Sequence, residues 1–286
     1  MTAVIEKAIE SKVVDTKVEV KKGNWTVDKR KEFSKAQALE RLGETLMNIH
    51  GDLMFIAEYN NSQDITVQFV KTKELVECSY IQFQRRTLKS HFTPSVCGVG
   101  IVGKEATRDE NGKLLDSFVC WSSMLNRAYS AKFHEKYPTY KGCGIEESWL
   151  IYANFKTWYK NNFYEIKELG RTNLDKDVLV KNNKIYSSSN CVFLPQALNK
   201  LFTKRDSKRG KYPIGVFLHE GGKYQASCSI GKGTQYLGYH GTPEKAFTAY
   251  KVFKEERIKQ IAKSYKTQIP QKLYEAMMNY TVSIDD

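Results

Sequence analysis

The sequence predicts a multidomain α+β protein. Three observations carry that prediction: apolar side chains alternate with period two in two separate regions, aromatic residues recur at helical spacing between them, and 286 residues suffice for two or three ordinary domains. A hydrophobic content of 41%, with 14 Phe, 17 Tyr and 4 Trp, supplies real cores and argues against wholesale disorder.

Residues 1–32 mix Lys and Glu with few large apolar groups apart from Trp25, and read as a flexible or loosely docked leader. Residues 33–105 read as a small β-rich module. In Asp64-Ile65-Thr66-Val67-Gln68-Phe69 the apolar side chains share one face of a strand, and Gly51-Asp52 and Asn60-Asn61-Ser62 supply turns. The glycines of Cys97-Gly98-Val99-Gly100-Ile101-Val102-Gly103 look like a phosphate loop, but no Lys-Ser/Thr follows, so a bend at a strand end is predicted instead.

Residues 106–205 turn helical and aromatic. Trp121, Met124, Leu125 and Tyr129 recur at helical spacing, and after a loop over 138–144 Trp149, Tyr152, Phe155, Trp158 and Tyr159 do so again. Both stripes are one-sided, which marks core rather than a binding platform. From 172 to 204 the pattern is hairpin plus helix: strands at 174–180 and 184–186 around Lys181-Asn182-Asn183, then a short helix after Pro195.

After a basic linker over 205–212, residues 206–286 read as a three-stranded sheet plus helix with a helical tail. Ile214, Val216 and Leu218 alternate, Gly221-Gly222 turns the chain, and Tyr224, Ala226, Cys228 and Ile230 alternate again before a third strand over 235–239. Thr242-Pro243-Glu244 is a helix start, with Thr as cap and Pro in the first turn, and Ala246, Ala249, Tyr250 and Phe253 form an apolar stripe for the sheet. The other face of that sheet is then polar and basic.

Charge narrows the function. The net +13 is concentrated between 201 and 272, where 15 Lys/Arg face 5 Asp/Glu. Such a concentration fits a polyanionic partner, and also a solvated basic helix. The longest apolar runs, over 53–57 and 96–102, are far too short to cross a bilayer, and Glu6 and Glu10 stand where a signal peptide would be apolar. A soluble, cytoplasmic protein without membrane contact is therefore predicted. Cys78, Cys97, Cys120, Cys143, Cys191 and Cys228 contain no CxxC pair and no His at zinc spacing, which argues for buried thiols in a reducing compartment.

The stretch Gly215-Val216, Gly222-Lys223-Tyr224-Gln225-Ala226, Tyr236-Leu237-Gly238, Thr242-Pro243-Glu244-Lys245-Ala246 and Ala249-Tyr250 resembles the plant apetala/ethylene-response-factor DNA-binding domain, relatives of which occur in phage and mobile-element nucleases. The resemblance implies a sheet lying in the major groove of double-stranded DNA. The positions matching that family's contact residues are Phe217, His219, Lys223, Ser227, Ser229 and Tyr236. Several of them usually hold Arg or Trp, which leaves base selectivity to Gln225, His219 and bridging water. Phosphate attraction falls to Lys211, Lys223 and Lys232.

The middle block carries Trp121-Ser122-Ser123-Met124-Leu125-Asn126-Arg127, Tyr137-Pro138-Thr139-Tyr140, Leu174-Asp175-Lys176-Asp177, Tyr186-Ser187, Asn190-Cys191 and Asn199. It resembles phage HNH-type endonucleases of a Leu-Asp-Lys-Asp variant, and the β-rich region before it is similar to a module found beside them. The resemblance implies a ββα site holding one Mg²⁺ or Mn²⁺ against a scissile phosphate. Carried over residue by residue, it makes Asp175, Asp177, Asn190 and Asn199 catalytic and Asp175, Asp177 and Asn199 metal ligands. Two aspartates two apart on a strand would share a face, which suits a hard cation. The departure is that no His lies between His134 and His219, so none aligns with the family's general base. His134 in Phe133-His134-Glu135-Lys136 reads as a surface helix residue. Three readings stay open: a metal-dependent endonuclease, an inactive DNA-binding regulator on the same scaffold, and a protein-interaction module that meets an acidic protein partner and counteracts a host defence.

Overall fold

The computed structural model describes residues 27–203, 211–231 and 233–285. The chain forms two compact units, one ending at Ser90 and the other beginning at His91. Of the leader predicted over residues 1–32, residues 27–32 open a helix instead, and residues 1–26 lie outside the described residues, as do linker residues 205–210 and Lys232.

The first unit is a helix followed by an antiparallel meander. Helix α1 (Val27–Arg41) precedes strands β1 (Thr45–Met47), β2 (Leu53–Asn61), β3 (Asp64–Phe69) and β4 (Leu75–Cys78), which pair in sequence order, and α2 (Tyr80–Gln84) follows. Ile65, Val67 and Phe69 are buried on one face of β3 as the alternation predicts, against Met54 and Ile56 of β2 and Phe83 of α2. Ser79 and Gln82 cap α2 reciprocally. The expectation of mainly β structure over 33–105 needs correction at both ends, because residues 33–41 belong to α1 and the strands stop at Cys78. A local anchor holds the end of that helix: the Arg41 guanidinium lies 3.8 Å from the centre of the Tyr80 ring and donates to Tyr59 Oη at 2.7 Å.

The second unit opens with a turn over 96–100, where Gly100 N–H donates to Val96 O at 2.8 Å. The glycine stretch is thus a bend and not a phosphate loop, although it joins isolated bridges rather than a strand. Then come α3 (Asp116–Tyr129), α4 (Ala131–Lys136), a 3-10 turn (Pro138–Tyr140), β5 (Gly144–Ile145), a second 3-10 turn (Glu147–Leu150), α5 (Tyr152–Asn162) and a third (Lys167–Leu169). Trp121, Met124 and Leu125 of α3 meet Trp149, Tyr152 and Phe155 in one core, and Trp121 Nε1 donates to Trp149 O at 2.7 Å, so both aromatic stripes are core except at Tyr129, which is exposed at the end of α3.

Strand β6 (Thr172–Asp175) follows, then β7 (Ile185–Tyr186), β8 (Val192–Pro195) and α6 (Gln196–Phe202). The expected hairpin between 174–180 and 184–186 does not form. Strand β6 pairs antiparallel with β8, while β7 crosses away to pair in parallel with β5. Lys181-Asn182-Asn183 is still a turn, closed by Asn183 N–H to Val180 O with Asn182 at φ 62°, but it joins no paired strands. Burial explains the change of partner. Phe193 and Leu174 face the aromatic core, whereas Val192 and Leu194 face a second core with Leu198, and only the 192–195 segment can fill both sides at once.

The chain ends in β9 (Val216–Leu218), β10 (Tyr224–Ser229), β11 (Thr234–His240), α7 (Pro243–Ser264) and α8 (Gln271–Met278). The sheet order is β11-β10-β9, all antiparallel, with Val216, Ala226 and Cys228 packed on Ala246, Phe247 and Tyr250 of α7. Leu218 breaks the expected inward alternation. It lies at the end of β9, past the cover of α7, and is exposed. Thr242 caps α7 through Oγ1, which accepts from Lys245 N, and Pro243 sits in the first turn. At 22 residues and about 33 Å long, α7 outruns the sheet. Its second half places Ile258 and Ala262 in the core that holds Val192, Leu194, Leu198, Leu273 and Met277.

Gly215 sits where β9 passes beneath α7. Its φ is +78°, and a Cβ there would stand 2.1 Å from Tyr250 Cδ2. Gly215→Ala is expected to destabilise the unit by about 2 kcal/mol or more, adding left-handed backbone strain to a ring clash. Chemical denaturation of the full chain checks this, and an unchanged midpoint would mean that Tyr250 moves aside without cost.

Candidate nucleic-acid interface and candidate metal centre

The outer face of the β9–β11 sheet is built by one irregularity. Gln225 pairs with Tyr239 and Ser227 with Tyr236, so Leu237 and Gly238 together oppose the single residue Ala226. This is a β-bulge, and Gly238 takes its φ of +100°, which side-chain-bearing residues rarely adopt. In regular pairing, residues three apart point to opposite faces. The bulge instead places Tyr236 and Tyr239 side by side, with ring centres 5.4 Å apart, and Tyr239 meets the His219 ring at 4.8 Å.

Phe217 joins this face from β9 through its pairing with Gln225. Phe217 is 58% exposed, Tyr236 48% and Tyr239 47%, a cluster of large rings open to solvent on a sheet otherwise covered by α7. His219 also shapes the hairpin tip, where its N–H donates to Lys223 O at 2.9 Å. Lys223 is exposed beside the face, Gln225 is half-buried in it, and Ser229 is exposed at the end of β10, whereas Lys211, also exposed, stands over Tyr212, which packs with Tyr224 in the core under α7. Ser227 departs from the expected contact set because it is buried: it lies on the central strand, opposite Tyr236 and with its N–H bonded to Gly215 O, enclosed on both sides. Tyr239 is the residue that alternation alone misses, and the glycine before it is the signal that could have located it.

Part of the basic surplus belongs to the fold. Lys251 pairs with Glu255 at 2.8 Å, Arg257 Nη2 donates to Ile230 O at 2.9 Å, and Lys272 Nζ donates to Cys191 O at 2.7 Å. Burial lowers the Lys254 ammonium below its ordinary range. Three of these cations bond to the protein and the fourth is largely buried, which leaves the electrostatic footprint to the remaining lysines.

In the ββα block the two aspartates do not share a face. Strand β6 ends at Asp175, whose Oδ1 accepts the N–H of Asp177 at 2.9 Å and of Val178 at 2.8 Å in a tight side-chain-to-backbone turn. That turn swings Asp177 off the strand. Its carboxylate then takes Lys176 Nζ at 2.7 and 2.8 Å. The Lys176 side chain is 8% exposed against 55% for Asp177, and its ammonium also donates to Asn183 O at 2.8 Å. A buried lysine thus claims the second carboxylate as its counter-ion.

Asn190 N–H donates to Ser187 Oγ, and its Oδ1 accepts from Ser189 Oγ at 3.2 Å. Asn199 is half-buried on α6. Among the described residues no group of three His, Cys, Asp or Glu side chains could hold a metal ion. His134 Nε2 pairs with Arg127 O at 2.8 Å, a bond within the α3–α4 corner. Asp175, Asp177 and Asn199 as arranged do not fit a resident divalent cation, since one carboxylate holds backbone N–H groups and the other an ammonium.

Burial raises the Asp175 carboxyl above its ordinary range; the N–H groups of Val178 and Asp177 oppose the shift, the Asp177 charge adds to it and Lys176 opposes it. A carboxyl whose pKa is raised by folding holds its proton more tightly in the folded state, so it costs stability at neutral pH and the cost fades on acidification. Asp175→Asn keeps an oxygen for both N–H groups and removes that cost. The variant is expected to melt above the native chain at pH 7, with the difference shrinking towards about pH 4, the ordinary carboxylate range. A lower melting temperature at pH 7 would show instead that the ionised carboxylate has a favourable cationic partner.

No protein-family model, curated protein or solved structure matches this chain in comparison.

Proposed function

We propose that this chain is a phage-type DNA-binding protein that docks double-stranded DNA against the outer face of β9–β11 in the cytosol of an infected bacterium. The observation that carries the reading is the exposed face itself: Phe217, Tyr236 and Tyr239 lie open around Gln225, with Lys223 alongside. Lysines attract phosphates without regard to sequence, and the rings and the amide offer apolar and hydrogen-bonding contacts to base edges. The sheet face presents no guanidinium, so weak base selectivity follows. The ββα block serves in this reading as a scaffold.

A second reading is favoured by one observation. Strand β6 ends in a buried carboxylate, and its partner β8 runs directly into α6, the strand-strand-helix frame of a Mg²⁺- or Mn²⁺-dependent endonuclease. For that activity the Lys176–Asp177 pair would have to open. The residues as they stand support binding better than cutting.

A gel-shift series with duplex DNA at several salt concentrations tests the first reading. Affinity should fall steeply with salt, Lys223→Ala should lower the slope of log affinity against log salt by about one, and Tyr236→Ala with Tyr239→Ala should weaken binding about tenfold or more at fixed salt. Absence of any shift, together with tight capture of an acidic protein, would replace DNA binding with a protein-interaction role. Supercoiled plasmid incubated with Mg²⁺, Mn²⁺ or chelator tests the second reading. Metal-dependent nicking that is lost in Asp175→Ala would restore the endonuclease, whereas intact plasmid bound by the protein would leave the scaffold reading standing.

A further inference from the structure

Helix α3 has two faces, one buried in the core and one lining a cleft. One carries the core stripe of Trp121, Met124 and Leu125. The other carries Asp116, Cys120, Ser123 and Arg127, spaced three or four apart. A stripe of this composition ordinarily faces water. Here it lines a cleft of about 190 Å³, walled by the end of α5 and by residues 171–174 leading into and along β6. Tyr159 and Phe163, stacked at 4.8 Å with their planes 10° apart, form one wall.

The cleft gathers charged groups that the protein does not pair with one another. Arg127 is partly buried, and its guanidinium bonds to the Tyr186 hydroxyl rather than to a carboxylate. Arg171, Asp116 and Glu165 also line the cleft, and none of the ion pairs among the described residues involves any of these four side chains. A partly buried cation without an anion is costly. Two cations and two carboxylates converging on one cleft without pairing are what a bound polar ligand would satisfy.

We propose that this cleft binds a sugar phosphate, with Arg127 and Arg171 holding the phosphate and Asp116 and Glu165 accepting sugar hydroxyls at the rim. Two guanidiniums suit a phosphate, whose oxygens accept paired N–H donors. Carboxylates suit the hydroxyls of a sugar, and they disfavour a second anionic group at the mouth. The stacked Tyr159–Phe163 pair gives a flat apolar wall on which a base attached to that sugar can rest. One chemistry has two sources here, a free nucleoside monophosphate or the phosphorylated end of a polynucleotide. The site is separate from the β9–β11 face and does not depend on its role.

Calorimetric titration of the full chain tests the assignment. The probes are adenosine 5′-monophosphate with adenosine as its control, and a short single-stranded oligonucleotide with a 5′-phosphate or a 5′-hydroxyl. The expected result is that the phosphorylated member of at least one pair binds about tenfold more tightly than its control, and the responding pair identifies the source. Binding through the sheet would be the same for both oligonucleotides and cannot mimic that difference. Arg171 is exposed, so Arg171→Gln leaves the core alone and should remove the preference for phosphate. Equal binding of each phosphorylated probe and its control, or an Arg171→Gln variant that keeps the native preference, would overturn the proposal.

Discussion

The packing of α7 against two different cores is the constraint on which the second unit depends. Its first half covers the three-stranded sheet through Ala246, Phe247 and Tyr250, and its second half enters the core beneath β8 and α6 through Ile258 and Ala262. Full burial of residues of this size contributes on the order of 1.5–3 kcal/mol each for the larger ones. A helix committed at both ends cannot shift along its axis without exposing one set or the other. The tail reinforces the arrangement by returning to the helix, with Val282 N–H donating to Glu255 Oε1 at 2.8 Å and Val282 packing in the sheet core. Tyr280 meets Phe202 of α6 at 5.0 Å, so the same tail touches both cores. Sheet and ββα block are consequently parts of one body and not beads on a linker.

The legible parts of the sequence are those where local pattern and tertiary demand agree. Alternation located β3 and β10; cap and proline located the start of α7; one-sided aromatic stripes identified the core of α3 and α5. Where the reading missed, a long-range choice overrode the local signal. The turn at Asn182 exists, yet the segment after it, 185–186, pairs with Gly144–Ile145 in parallel, because two separate cores require Val192–Pro195 beside β6. No period in residues 174–186 encodes that exchange. Residues 33–41 were similarly ambiguous, and their helix is held by an arginine stacking on a tyrosine far along the chain.

The candidate metal centre shows why spacing alone is insufficient. Asp175 and Asp177 would share a face only if the strand continued through both. The first aspartate ends the strand by accepting the N–H groups of residues 177 and 178, a habit intrinsic to its short side chain. Lys176 then turns inward and draws the second carboxylate after it. The cleft along α3 illustrates the opposite case. Its charged residues come from separate elements, α3, the segment before β6 and the loop after α5, so that no sequence motif could announce it.

The bulge at Leu237-Gly238 gives the sheet a kind of reading frame. Because two residues stand opposite Ala226, the identity of every outward position on β11 beyond the bulge is offset by one from a regular ladder. Loss of Leu237 or Gly238 would restore regular pairing and keep Tyr236 and Tyr239, then two apart, on the same outer face, whereas regular pairing at full length would turn Tyr239 from solvent towards the helix. Most substitutions tune such a surface gradually, but a change that irons out the bulge without shortening the strand exchanges the faces beyond it in one step. Lineages that keep or lose the bulge at constant length would therefore diverge in what the sheet presents far faster than their amino-acid composition suggests.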